Sequence, residues 1–117
     1  MIKFEAFDTE TTGLPLRGKR GDPPIPADHP HQPRVVSFAG IKCDELGREV
    51  SRQKFYVKPE GWTVQEFTDR QIAAGQKTAV SINGLTDEFL NDTGAPISDV
   101  LDYYVDAIES GLIVSAF

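Results

Sequence analysis

An apolar, strand-like run from Ile2 to Asp8 opens the chain and predicts a first β-strand. Residues 15 to 33 break the pattern: they hold most of the prolines, together with Gly18 and Gly21, and predict an irregular loop. Arg34 to Cys43 and Glu49 to Lys58 are β-branched and aromatic in makeup. Asp44-Glu45-Leu46-Gly47 separates them as a hairpin signal, and Pro59 and Gly61 stop the second run. Three strands in a meander give an antiparallel sheet.

The periodicity then becomes helical. Val64, Phe67 and Ile72 place a helix within Thr63 to Gln76. Thr78 to Asn83 reads as a short helix ended by Gly84, and Leu85-Thr86-Asp87-Glu88 as a helix start capped by Thr86. Ile97, Leu101, Tyr104, Val105 and Ile108 recur at helical spacing between Pro96 and Gly111. Ser98 is the expected cap there, and Asp99 falls in the first turn, where the helix dipole favours an anion. Leu112 to Val114 is a short apolar run, read as a buried strand. A helix crossing back to such a strand implies parallel pairing.

With 117 residues, 39% of them hydrophobic and 26% charged, the chain reads as one globular unit. It contains neither an apolar run of membrane-spanning length nor a charged-then-apolar leader, and Cys43 has no second cysteine to pair with, so the expectation is a cytoplasmic protein with no membrane partner. The formal net charge of −6 is regional. Residues 1 to 77 carry all 12 Lys and Arg against 11 acids, while residues 78 to 117 carry 7 acids and no Lys or Arg. Arg17, Lys19, Arg20 and Arg34 bracket the proline-rich loop, where a phosphate backbone could pass.

Chemistry concentrates in Phe7-Asp8-Thr9-Glu10-Thr11-Thr12-Gly13-Leu14. Residues two apart on a strand share a face, with Cα atoms roughly 6.6 Å apart, so Asp8 and Glu10 point the same way. Like charges this close repel unless something positive neutralises them, and a hard divalent cation does so through oxygen ligands. Thr11 and Thr12 add hydroxyls, Gly13 allows close approach of backbone to ligand, and Leu14 adds an apolar contact.

This segment resembles the first motif of the DEDD superfamily of 3′-5′ exonucleases, of the proofreading epsilon-subunit type. Pro33 to Gly40 resembles the family's second strand, Ser81 to Leu90 its His-Gly-Ile-Thr segment, and Gly111 to Phe117 the strand leading into its second motif. The resemblance implies an α/β, ribonuclease H-like fold: a three-stranded antiparallel meander plus a parallel fourth strand with helices, C-terminally incomplete. Residues 1–117 would be a single exonuclease domain truncated before the second and third catalytic motifs.

It also implies two Mg²⁺ or Mn²⁺ ions held in the complete site, with Asp8 and Glu10 as catalytic metal ligands. Thr11, Thr12, Gly13 and Leu14 would hold the 3′-terminal nucleotide, Leu14 as a wedge. Asn83, a further candidate substrate contact, stands where the family usually has histidine. The implied substrate is a single-stranded or frayed DNA 3′ end, and the implied partner a DNA polymerase.

The second-motif aspartate and the third-motif acid and base have no counterpart in the chain. Weak activity or none is therefore expected of this chain alone. The alternative is a degenerate exonuclease-like module that binds nucleic acid or a partner protein without catalysis, self-associating through the sheet edge beside Leu112 to Phe117. A third alternative acts on short oligoribonucleotides. Asp99, Asp102 and Asp106 read as a solvated helix face, His29 and His31 as loop residues at the site's rim, and Phe4, Phe38, Phe55 and Tyr104 as core.

Overall fold

A computed structural model describes residues 2–116, and the side chains of residues 2–112. Strands β1 (Ile2–Thr11), β2 (Val35–Asp44) and β3 (Glu49–Tyr56) are followed by helices α1 (Val64–Ala73), α2 (Ala79–Asn83), α3 (Asp87–Thr93) and α4 (Ile97–Glu109), then β4 (Ile113–Ala116). The sheet order is β3-β2-β1-β4. β1 pairs antiparallel with β2 and β2 with β3, while β4 lies parallel to β1 with Phe4 opposite Ile113 and Phe7 opposite Ala116. Phe117 and the side chains that would make β4 a buried strand lie outside the described residues.

Helices cover the sheet on both faces. Phe7, Phe38, Val57, Val100 and Ala107 form one buried cluster beneath α4, and Val36, Val64 and Leu90 form another beneath α1 and α3. Consecutive residues Val35 and Val36, and Tyr56 and Val57, divide between the two clusters, as side-chain alternation in a strand requires. The pairing of β1 with β2 skips Val36, where Glu10 lies opposite Ser37 and Thr11 opposite Val35. This irregularity lets Val36 and Phe38, two apart, join opposite cores.

Local chemistry sets the helix ends. Thr63 and Glu66 form a capping box on α1, Thr78 caps α2 through the Ser81 N–H, and Thr86 caps α3 through the Phe89 N–H. Gly84 ends α2 in the left-handed region at φ 71°, where a side chain is disfavoured.

Three expectations are corrected. α4 begins at Ile97 after Pro96, with no side-chain cap, so Ser98 is inside the helix. Its buried face is Val100, Tyr103 and Ala107, and the stripe Ile97, Leu101, Tyr104, Val105 and Ile108 is exposed. Two apolar faces coexist on this helix. The one turned inward carries the small Ala107, which lets the helix approach the sheet closely, and Tyr103, whose hydroxyl reaches β1. In α1, Ile72 is exposed because the position one turn after Phe67 is Gln71, a residue with another task.

Tyr103 has a partner that the sequence pattern conceals. Glu5 is fully buried on β1, and the Tyr103 hydroxyl donates to its Oε1, while Oε2 has no hydrogen-bond partner among the described residues. Burial, the hydrogen bond to Glu5 and the Glu5 charge all raise the Tyr103 pKa well above its ordinary value.

Candidate functional site

β1 runs through the acidic motif to Thr11 rather than ending at Asp8, so both carboxylates stand within the strand. Glu5 and Phe7 face α4, which by alternation puts Asp8 and Glu10 together on the opposite face. Both are exposed, and among the described residues neither makes a salt bridge. Their cross-strand neighbours are small: Ala39 lies opposite Asp8 and Ser37 opposite Glu10. Nothing bulky on β2 covers the two acids. Ser37, buried beside Glu10, went unmarked in the sequence because a serine between apolar strand residues carries no signal of its own.

The turn after the strand is fixed from three directions. Thr12 is buried, its N–H donating to the Arg34 carbonyl at 2.9 Å and its Oγ1 accepting from the Arg34 N–H at 2.8 Å. Gln71 of α1 donates from Nε2 to the Thr12 carbonyl at 2.7 Å and accepts at Oε1 from the Ala79 N–H at 3.0 Å. Asn83 of α2 donates from Nδ2 to the Thr11 carbonyl at 3.2 Å and accepts at Oδ1 from the Leu85 N–H at 2.9 Å. Its amide thus ties the strand end to the segment after α2.

Thr11 donates from its own Oγ1 to the Gly13 carbonyl at 2.7 Å. A Cβ at Gly13 would lie 2.6 Å from Gln71 Nε2, so a side chain there would push the Gln71 amide aside and disturb its bond to the Thr12 carbonyl. Leu14 then projects outward at 89% exposure, too open for a core role. The structure therefore gathers Asp8, Glu10, Thr11, Thr12, Gly13, Leu14 and Asn83 around one strand end, with Thr12 and Asn83 engaged in holding the backbone.

Other candidates separate from this cluster. Asp99, Asp102 and Asp106 are exposed on α4, across the sheet from the two acids. His29 and His31 sit in the proline-rich loop, where the His31 N–H donates to His29 Nδ1 at 3.0 Å. Among the described residues, no three His, Cys, Asp or Glu side chains converge as metal ligands. Asp8 and Glu10 offer hard oxygen donors, which suit Mg²⁺ or Mn²⁺, as a pair rather than a complete set.

Beside Leu14 runs a groove of about 1060 Å³ between the proline-rich loop and α1. Its wall includes Arg17, His31, Arg70 and Lys77 and no Asp or Glu. The Arg70 guanidinium carbon lies 4.5 Å from the Phe67 ring centroid, a cation–π geometry. Lys19, Arg20 and Arg34, also basic and near the motif in sequence, do not line this groove.

No family model matches the chain, and no curated protein matches it. Among solved structures it is similar to Exonuclease I of E. coli, determined in complex with a dT13 oligonucleotide, at 24% sequence identity and a TM-score of 0.52. What the two share is a fold. The match covers 82% of this chain and 16% of that one, so the chain corresponds to a small part of the longer protein. No described helix is long and apolar enough to cross a membrane.

Proposed function

We propose that the chain carries the first two carboxylates of a metal-dependent 3′-5′ exonuclease centre on a ribonuclease H-like fold, acting on single-stranded or frayed DNA ends. The observation that carries this reading is the placement of Asp8 and Glu10 as same-face, exposed neighbours of β1, directly before a turn braced by Arg34, Gln71 and Asn83. The likeness in fold to Exonuclease I, a protein solved with a single-stranded oligonucleotide, supports it.

Asp8 and Glu10 would hold Mg²⁺ or Mn²⁺, and the bound ion supplies the positive charge that phosphodiester hydrolysis needs at its attacking and leaving oxygens. The chain's own residues have separate tasks. Gln71 and Asn83 fix the Thr12 and Thr11 carbonyls respectively, so that Gly13 and Leu14 meet the terminal nucleotide in one conformation. Leu14 presents an apolar surface to a base.

The test is release of nucleoside monophosphates from a 3′-labelled single-stranded oligonucleotide in Mn²⁺, comparing the wild-type chain with Asp8→Ala. Divalent-dependent release that disappears in the variant supports the reading, and measurable release at equal rates by both proteins contradicts it. A second reading, a module that binds nucleic acid without cleaving it, is favoured by the groove beside Leu14, whose lining includes Arg17, Arg70 and Lys77. Oligonucleotide binding with no turnover by the wild-type chain is its signature.

A further inference from the structure

We propose that the groove between the proline-rich loop and α1 is a second subsite, which takes the phosphate backbone of a single strand a few nucleotides upstream of the 3′ end. This rests on the nuclease reading for the position of that end at Leu14, and adds a separate binding surface to it. Arg70 supplies the first observation. Its Nη2 is buried and has no hydrogen-bond partner among the described residues, while the guanidinium packs over the Phe67 ring. A buried cationic N–H left unpaired is costly, and because Nη2 is itself closed to solvent, a small shift of the Arg70 side chain toward the groove it lines would let a phosphate oxygen accept from it.

The groove's composition is the second. Arg17 from the loop, Arg70 from α1 and Lys77 from the turn after α1 bring positive charge from three segments, no carboxylate lines the wall, and none of the three makes a salt bridge among the described residues. Three separated cations match a chain of phosphates better than a single anion. A volume of about 1060 Å³ holds more than one nucleotide. The apolar side chains of Leu14 and Ile82 at the same groove offer surfaces to unpaired bases, which a duplex keeps stacked inside. Gln71 joins the two subsites, since it lines the groove and also holds the Thr12 carbonyl.

The experiment is fluorescence anisotropy of 5′-labelled dT4 and dT12 with the full chain in EDTA, over a series of salt concentrations. Wild type is expected to bind dT12 more tightly than dT4 and than a 12-base-pair duplex. In the double variant Arg70→Gln, Lys77→Gln, dT12 binding should weaken about tenfold, and the slope of log K against log salt should flatten by about 1.4, two contacts at roughly 0.7 each. Lys77→Gln alone, at an exposed position, should give about half that change in slope even if the Arg70 substitution impairs folding.

Arg48→Gln, in the β2–β3 turn and away from the groove, should leave binding unchanged. Equal affinity of the double variant and wild type, equal loss in Arg48→Gln, or a preference for duplex would each overturn the proposal. Without divalent ions no hydrolysis is involved, so failure here leaves the assignment of Asp8 and Glu10 standing, and failure of Asp8→Ala to affect turnover leaves the groove standing.

Discussion

Glu5 occupies a position that its sequence neighbours misrepresent. A glutamate in an apolar strand reads as a solvent-facing position, yet its side chain is fully buried against Tyr103, 98 residues away in sequence. Local pattern cannot announce a partner at that separation. Tyr103→Phe removes the donor and leaves both Glu5 oxygens without one, so denaturant unfolding should show a loss of about 1–3 kcal/mol. The raised Tyr103 pKa means that the folded state keeps the phenol proton at a pH where the unfolded chain, with its ordinary value of 10.0, releases it. This contribution is constant at neutral pH and declines above about pH 10. Unfolding measured from pH 8 to 11 should show that decline in wild type, and less of it in Tyr103→Phe.

At the scale of elements, caps and boundaries were legible because they are local. Thr86 and Gly84 act where their chemistry places them. The facing of α4 was not legible, since spacing finds an apolar stripe without choosing between two. Val100→Ala should therefore cost about 2 kcal/mol, whereas Val105→Ala, on the exposed stripe, should cost less than about 0.5 kcal/mol by the same unfolding assay. A larger cost for Val105→Ala than for Val100→Ala would mean that the helix is turned the other way. The N-terminus of α1 depends on a distant group: the Asp87 carboxylate of α3 accepts from the Val64 N–H at 2.7 Å and the Gln65 N–H at 3.0 Å. Asp87→Ala should lower stability by about 1–2 kcal/mol and increase amide exchange at Val64 and Gln65, whereas loss of the local cap Thr63 releases the Glu66 N–H instead.

For the whole molecule, the meander of β1 to β3 and the helices that follow could be read from pattern and turn chemistry. The acidic motif stood out because two carboxylates side by side on one strand face repel each other until a cation joins them. The braces behind it could not be read. Gln71 and Asn83 reach Thr12 and Thr11 across 59 and 72 residues, and their amides look like any surface polar group in sequence.

The regional charge also resolves in space, with an acid-free basic groove beside Leu14 and an acidic α4 across the sheet. That separation makes the proposed cation site at Asp8 and Glu10 directly measurable. In an NMR titration with Mn²⁺, paramagnetic broadening should begin at the amides of residues 8 to 13 and vanish from them in Asp8→Ala. Broadening centred on Asp99, Asp102 and Asp106, or unchanged at the β1 end in the variant, would contradict a divalent site at Asp8 and Glu10.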